Sequence, residues 1–193
     1  MNIQSEIVEE SASDLPEYAR IPISFEVRSV FDVSFLENGR CDFRMSERPI
    51  SAPWVKDYDV YHGEGPTRWA DHWNISNWGF LSAFGNGNRL GSCAIACNTP
   101  GCHMLEGRDD LAVLWDIRVS PKCRRNGLGG QLIGAAITWA KSHGCRQFKI
   151  ETQNINVPAC RLYAKHGFKV SSINRHAYPK LPEEVQLIWC MEL

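Results

Sequence analysis

The fold is decided by the stretch Val119-Ser-Pro-Lys-Cys-Arg124-Arg125-Asn126-Gly127-Leu128-Gly129-Gly130. An apolar strand ends at its first residue, a turn rich in arginine and glycine follows, and a helix begins at its end. Such a loop directs several backbone N–H groups to one point, and the helix N-terminus adds about half an elementary charge. Glycines allow close approach to the backbone, and arginines can donate paired hydrogen bonds to phosphate oxygens. The stretch therefore predicts a site for a pyrophosphate-bearing molecule.

Two common nucleotide-binding loops do not fit this stretch. A P-loop requires G-x-x-x-x-G-K-[ST], and the chain contains neither Gly-Lys-Ser nor Gly-Lys-Thr. A dinucleotide fingerprint requires G-x-G-x-x-G directly after a strand, whereas here Arg124 precedes the glycines at 127, 129 and 130. The pattern is R-x-x-G-x-G, with Val119 five residues before the arginine. An ordinary turn before a helix is the alternative interpretation.

A second motif follows downstream, Asn156-Val-Pro-Ala159-Cys-Arg-Leu162-Tyr163-Ala-Lys165-His-Gly167-Phe168. Asn156 suits a helix N-cap, and the proline at 158 falls in the first turn, where its missing N–H is harmless. Ala159 and Tyr163 are one turn apart and share a face. Gly167 is suited to end the helix. The spacing predicts a helix over 157–166, and a half-buried packing role is the alternative for Tyr163.

Together, R-x-x-G-x-G and N-x-x-A-x-x-L-Y-x-K-x-G-F resemble the signatures of the GNAT superfamily of N-acetyltransferases, which use acetyl-coenzyme A. The resemblance implies an α/β GNAT fold: a mixed, mostly antiparallel central sheet, a parallel strand pair splayed around acetyl-coenzyme A, and helices on both faces. The cofactor-binding residues that it implies are Ile117, Arg118, Val119, Arg124, Arg125, Asn126, Gly127, Leu128, Gly129, Gly130, Asn156 and Tyr163.

The resemblance also implies acid–base chemistry. An alkyl amine has a pKa of about 10.4 and must lose a proton before it attacks the thioester. Asp116, where the resemblance implies a strand bulge, is the first candidate base, and Glu151 is the second. Tyr163 is carried over as the acid that protonates the thiolate, and the N–H of Val119 would face the thioester oxygen. The alternatives are that Asp116 bonds a neighbouring loop and that Glu151 anchors the turn at 152–154.

Length, charge and cysteine spacing set further bounds. The 193 residues suit one domain over 1–193, and the net charge of −1 implies no nucleic-acid-binding face. The acidic N-terminus is not a secretory signal and no run can span a bilayer, so we expect a cytoplasmic protein without membrane contacts, as a monomer or a homodimer. The eight cysteines form no C-x-x-C pair, so we expect free thiols and no metal.

Hydrophobic period and turn residues divide the remaining sequence into predicted helices and strands. We expect a short helix near 14–19 and a helix over 127–143, with its buried stripe at Leu128, Leu132, Ala135, Ala136 and Trp139. We expect strands over 23–33, 111–119, 147–151, 168–173 and 185–191, a hairpin over 78–97, and a parallel crossover over 111–151. Residues 34–77 match neither period and are predicted to be irregular, with short helices, on the substrate side.

Within the superfamily, the chain is similar to the streptothricin acetyltransferases. The stretch 151–165 carries most of that similarity, and 28–33 and 56–58 carry less. That family acetylates a β-lysine amine of a cationic antibiotic, which implies a polyamine-like small-molecule substrate. The chain departs from that family in the segment 61–73, which has little of the negative charge suited to a cationic acceptor. Only Glu64 and Asp71 are acidic there, and Arg68 offsets their charge. Its tryptophans suit either a stacking pocket or the core. The alternative functions are a protein N-terminal acetyltransferase of the ribosomal-protein type and a non-catalytic acyl-coenzyme A sensor.

Overall fold

A computed structural model describes residues 5–35, 43–60 and 65–193, so Glu64 of the acidic segment and Cys41 lie outside the described residues. The strands are β1 (Glu6–Glu10), β2 (Phe25–Phe35), β3 (Phe43–Lys56), β4 (Gly79–Gly85), β5 (Asn88–Cys97), β6 (Leu111–Val119), β7 (Gln147–Gln153), β8 (Lys169–Asn174) and β9 (Gln186–Glu192). The helices are α1 (Leu15–Tyr18), α2 (Trp69–His72), α3 (Leu128–Ser142) and α4 (Val157–Lys165). None of the helices in the described part of the chain combines the length and apolar character needed to cross a membrane.

The chain divides into two compact units, and the first comprises Met1–Ser24, Asp57–Ile150 and Cys190–Leu193. Its strands lie in the order β1-β4-β5-β6-β7. The pairs among the first four are antiparallel, whereas β6 and β7 are parallel from Leu111↔Gln147 to Leu114↔Ile150. The predicted hairpin and the predicted mixed sheet with one parallel pair are therefore confirmed. One domain over 1–193 stays a prediction.

Helix α3 packs on β4, β5 and β6 through the predicted apolar stripe. Four of the five stripe residues are buried, namely Leu128, Leu132, Ala136 and Trp139. Ala135 is only half-buried, and Ile133, which the stripe omitted, is fully buried. The buried face is therefore wider than a single i, i+4 row, because the sheet covers about a third or more of the helix circumference.

Tryptophans from the segment before β4 fill the core of the first unit. Trp69 and Trp78 are buried, with ring centroids 5.7 Å apart, and Tyr18 meets Trp69 edge-on at 5.7 Å. Trp73 and Trp115 are partly buried against the same cluster, 4.8 Å from each other. The sequence left two roles open for the tryptophans of segment 61–73, and the structure shows core packing for Trp69 and partial burial against the core for Trp73.

The second unit comprises Phe25–Lys56 and Glu151–Trp189. In it β2 and β3 form an antiparallel two-stranded sheet, α4 packs on β2, and β9 lies between β7 and β8. The prediction of an irregular chain over 34–77 was wrong for residues 43–56, which form β3, whereas short helical turns occupy 66–77. Most of β3 is exposed on both faces, so it lacks the apolar alternation of a half-buried strand, and Pro49 and Pro53 suggested a break.

Gly79 makes room for the indole of Trp139. A Cβ at Gly79 would lie 2.5 Å from Cε2 of that ring, whose N–H donates to Glu9 at 2.7 Å. We expect Gly79→Ala to lower the free energy of unfolding by about 1–3 kcal/mol, because the buried indole must shift. Urea denaturation would measure this. The control is Gly134→Ala within α3, where a Cβ meets nothing within 4 Å and is expected to stabilise by up to about 1 kcal/mol. Equal destabilisation of both variants would contradict this account.

Candidate active site

The loop between β6 and α3 has an unusual backbone. It contains a 3-10 turn at Pro121–Cys123 and two residues in the left-handed region, Arg125 at φ 63° and Gly127 at φ 84°. Gly127 is the N-cap of α3, and its carbonyl accepts the first helical hydrogen bond from Gln131 at 3.1 Å. A non-glycine residue such as Arg125 in this region is uncommon and often marks a functional turn.

The main-chain N–H groups of this loop are available to a ligand. Among the described residues, no backbone or side-chain acceptor bonds the N–H groups from Arg124 to Gly130. The first N–H groups of a helix lack intrahelical partners, and such a set of converging donors suits phosphate oxygens. The residues present therefore fit the pyrophosphate of acetyl-coenzyme A.

The two loop arginines differ in their surroundings. Arg124 donates through Nε to the carbonyl of Val119 at 3.0 Å and through Nη2 to that of Pro22 at 3.2 Å, so its side chain braces the loop. Burial lowers the pKa of Arg124 from its ordinary value. Arg125 is exposed. The side chain of Asn126 donates to the carbonyl of Arg124 at 3.3 Å. The backbone, more than an arginine fork, forms the donor set at this loop.

Strand β6 carries the bulge that the resemblance implied. Ala94 of β5 pairs with Asp116 and Ile95 pairs with Leu114, so Trp115 is the additional residue. The parallel ladder with β7 has its last pair at Leu114, and β6 continues to Val119. A bulge bends its strand and redirects the side chains that follow.

Next to the bulge, Asp116 and Arg118 form a buried ion pair. Arg118 donates through Nε to Oδ1 of Asp116 at 3.0 Å and through Nη2 to Oδ2 at 3.0 Å. Both side chains are under a tenth exposed. The hydroxyl of Tyr18 donates to Oδ1 of Asp116 at 2.7 Å. Burial raises the pKa of Asp116, although Arg118 and the Tyr18 hydroxyl oppose that shift.

The rest of the Arg118 guanidinium is also bonded. Nη1 and Nη2 donate to the two carboxylate oxygens of Asp59 at 2.9 Å, and Nη1 also donates to the carbonyl of Ile21 at 3.1 Å. Every N–H of this guanidinium therefore has an acceptor. The side chain of Arg118 is buried in this network, so only its main chain suits the predicted contact with the cofactor. The sequence did not indicate Tyr18 or Asp59, since no local pattern links residues so distant along the chain.

In the second unit, α4 has the predicted ends. Oδ1 of Asn156 accepts from the N–H of Ala159 at 3.2 Å, and Gly167 has φ 89° after the helix. Tyr163 is buried, with its ring centroid 6.3 Å from that of Phe168 and 6.1 Å from that of Trp189. Among the described residues this cap uses only the oxygen of the Asn156 amide, so the amide nitrogen is left for a ligand.

Glu151, also in the second unit, has a partner that the sequence did not indicate. The hydroxyl of Tyr178 donates to Oε1 of Glu151 at 2.6 Å, and Nε2 of Gln153 donates to the Tyr178 hydroxyl oxygen at 2.9 Å. Glu151 was expected to act as a base or to anchor the turn at 152–154. Its hydrogen-bond partner in the structure is Tyr178.

The seven cysteines in the described part of the chain form no disulfide, as expected. Sγ of Cys97 and Sγ of Cys145 are 3.5 Å apart, and burial raises the pKa of Cys145 and of Cys160 to about 12 in each case. Within residues 5–35, 43–60 and 65–193, no group of three or more His, Cys, Asp or Glu side chains could hold a metal ion. A metal-free enzyme stays a prediction.

Known proteins are similar to this chain in sequence and in fold. Residues 47–168 match the Acetyltransferase (GNAT) family. The chain is 33% identical to streptothricin acetyltransferase of Escherichia coli, over 86% of this chain and 83% of that protein. It is 29% identical to streptothricin acetyltransferase A of Bacillus subtilis (strain 168), over 79% and 80%.

Two solved structures have the same fold. One is nourseothricin acetyltransferase, with a TM-score of 0.74, 21% identity, and coverage of 97% of this chain and 98% of that one. The other is a Bacillus anthracis protein in complex with acetyl coenzyme A, with a TM-score of 0.77, 24% identity, and coverage of 98% and 100%. The chain therefore belongs to the GNAT acetyltransferase family and is an acetyl-coenzyme A-dependent N-acetyltransferase.

Proposed function

We propose that this enzyme acetylates a primary amine of a small cationic molecule, with streptothricin-type antibiotics as the first candidates and antibiotic resistance as the result. The names of the relatives from Escherichia coli and Bacillus subtilis support the antibiotic. The observation that carries the reaction class is the set of N–H groups from Arg124 to Gly130, at the start of α3, that have no acceptor among the described residues. It suits the diphosphate of the acetyl donor.

The proposed cofactor contacts are those of the sequence motifs. When bound, acetyl-coenzyme A supplies the activated acetyl group as a thioester. The main chain of β6 would accompany its pantetheine arm, and the N–H of Val119 would polarise the thioester carbonyl. The residues proposed to hold it are Ile117, Arg118, Val119, Arg124, Arg125, Asn126, Gly127, Leu128, Gly129, Gly130, Asn156 and Tyr163.

The proposed acid–base roles follow from the contacts of each side chain. Glu151 is half-buried and has one oxygen engaged by Tyr178, so it can still accept a proton from an ammonium group. Tyr163 is proposed to protonate the leaving thiolate. Asp116 is enclosed by Arg118 and Tyr18, which favours a positioning role, in which it holds the bulged part of β6, over the role of general base.

Thiol release from acetyl-coenzyme A, measured over a panel of acceptors, tests this function. The panel contains streptothricin, a polyamine, an aminoglycoside and a short peptide with an N-terminal alanine. We expect release with streptothricin, with the polyamine as the next best acceptor. Release with the peptide alone would favour an activity like that of the [ribosomal protein bS18]-alanine N-acetyltransferases, to one of which, from Escherichia coli (strain K12), a part of this chain is 34% identical. Calorimetric binding of acetyl-coenzyme A with no release for any amine would contradict the proposal.

Glu151→Gln tests the proposed base. We expect kcat/KM for the amine to fall about 10- to 100-fold at neutral pH, because the variant cannot accept the proton. Activity should recover in part at higher pH, where more of the amine is already deprotonated in solution. The control is Glu183→Gln, which removes an exposed carboxylate of the same unit. A pH–rate profile for Glu151→Gln that matches the wild-type profile would assign the proton to water or to another group.

We also infer that the enzyme works in the cytoplasm. The described cysteines form no disulfide, as is usual in a reducing compartment. Assembly as a monomer or a homodimer stays a prediction.

A further inference from the structure

We propose that Tyr178 is a positioning residue for the amine-binding carboxylate: it holds Oε1 of Glu151 so that Oε2 is presented to a cationic amine. This inference rests on the proposed function, in which Glu151 accepts the proton of the substrate amine. It concerns residues of the second unit alone, and neither sequence motif contains Tyr178.

The direction of the hydrogen bonds is decided by the donors available. A phenol has one proton, and a carboxylate can only accept. Nε2 of Gln153 donates to the Tyr178 oxygen at 2.9 Å, so the phenolic proton is directed to Oε1 of Glu151, 2.6 Å away. Hydrogen bonds to an ionised acceptor are stronger than neutral ones. The hydrogen bonds from Gln153 to Tyr178 and from Tyr178 to Glu151 therefore run in one direction. They hold the carboxylate in one orientation.

The backbone around Tyr178 is held at its C-terminal side. Its carbonyl accepts from the N–H of Leu181 at 2.9 Å, and the carbonyl of Leu181 accepts from Glu184 at 2.9 Å. The Glu184 carboxylate accepts from Nζ of Lys56 at 2.6 Å, and both of these side chains are about 95% buried. Tyr178 is thus connected to a buried ion pair through two turns, which reduces the freedom of its ring.

The neighbouring residue Val185 ties the same segment to the end of β7. Its N–H donates to Oδ1 of Asn154 at 2.8 Å, and the N–H of Asn154 donates to the carbonyl of Val185 at 3.0 Å. Glu151 and Asn154 belong to one stretch of chain, so the carboxylate and the segment that carries Tyr178 are fastened to each other at two points. Preorganisation of this kind lowers the entropy lost when a substrate is oriented.

The charges around Glu151 suit a cation. Burial and the Glu151 carboxylate raise the pKa of Tyr178 above its ordinary value, so the phenol stays protonated throughout an assay. Among the described residues, Oε2 of Glu151 has no hydrogen-bond partner and the side chain is half-exposed. An ammonium group is a donor of the right charge for that oxygen.

Tyr178→Phe tests the inference, because it keeps the ring and removes the hydroxyl. We expect KM for the amine to rise about 5- to 10-fold, since the carboxylate can rotate away, while kcat changes less and Kd for acetyl-coenzyme A is unchanged. Steady-state thiol release would give the amine constants and calorimetry the cofactor affinity. An unchanged amine KM in a folded Tyr178→Phe variant would overturn the inference.

A double-mutant cycle with Glu151→Gln separates positioning from a merely structural role. In the Glu151→Gln background, Tyr178→Phe should have no further effect on kcat/KM for the amine, while any fall in Tm should persist. An equal loss of kcat/KM in both backgrounds would overturn the inference and leave the proposed function intact. Full activity of Glu151→Gln alone would instead remove the proposed base, and with it the inference.

If Tyr178→Phe does not fold, Gln153→Met provides the second variant. It leaves the Tyr178 hydroxyl in place but frees its proton to rotate. We expect a rise of about two- to threefold in the amine KM, which disappears in the Glu151→Gln background. An amine KM equal to that of the wild type would overturn the inference by this route.

Discussion

Replacing Arg118 by methionine is expected to lower the free energy of unfolding at pH 7 by about 3–5 kcal/mol, because it leaves a buried carboxylate without its cation. Asp116 would keep only the hydroxyl of Tyr18 as a partner, and Asp59 would lose both of its hydrogen bonds to Arg118. Methionine fills much of the volume of the arginine stem, so the loss of stability comes more from the missing charge than from lost packing. Chemical denaturation would measure it.

The same substitution should depend on pH in a defined direction. Burial already raises the pKa of Asp116 in the native state, and Arg118 opposes that rise. A carboxyl whose pKa is higher in the native than in the unfolded state is most favourable to stability below about pH 3.9, and that contribution is lost as pH rises through the native pKa. Without Arg118 the native pKa of Asp116 rises further. The deficit of Arg118→Met relative to the wild type should therefore be larger at pH 7 than at pH 5.

The double variant Arg118→Met, Asp116→Asn distinguishes charge from shape. It removes the unpaired carboxylate, so it should recover part of the stability lost at pH 7 and show a weaker dependence on pH. If the single and double variants were equally unstable at both pH values, the buried charge would not be the cause.

Asp116→Asn alone should leave the pH–rate profile of acetyl transfer unchanged, in keeping with a positioning role.

Replacing Tyr163 by phenylalanine is expected to lower kcat by about 100-fold or more, because the proposed acid for the thiolate is removed. The ring contacts with Phe168 and Trp189 do not need the hydroxyl, so the packing of the ring should persist in the variant. Kd for acetyl-coenzyme A should change little. Single-turnover thiol release would measure the chemical step directly, even where product release limits the steady-state rate.

Two outcomes would contradict the role of Tyr163. One is an unchanged single-turnover rate, which would remove it from the chemical step. The other is a large increase in Kd for acetyl-coenzyme A with an unchanged rate at saturation, which would leave Tyr163 a binding residue with no part in proton transfer. Turnover of Tyr163→Phe over a range of pH, in a buffer without added thiol, completes the test. Solvent can protonate the leaving thiolate more easily at low pH.

The sequence indicated those elements whose pattern is local. α3 has an apolar stripe and a glycine N-cap, α4 has Asn156 as a cap, and the strand that became β6 is almost continuously apolar. Each of these signals lies within about fifteen residues, so it could be read without the fold. β3 was not predicted because a largely exposed strand has no apolar alternation. Its pairing with β2 depends on the tertiary structure.

The proposed pyrophosphate loop and the family could be predicted from the sequence, because main-chain donors at a glycine-rich helix start follow from local residues. The partners of the two candidate carboxylates are properties of the tertiary structure alone. Asp116 meets Tyr18, 98 residues away, and Glu151 meets Tyr178, 27 residues away. A carboxylate's protonation and freedom depend on its burial and on its nearest charges, and the folded chain brings those groups together from segments that carry no mutual signal.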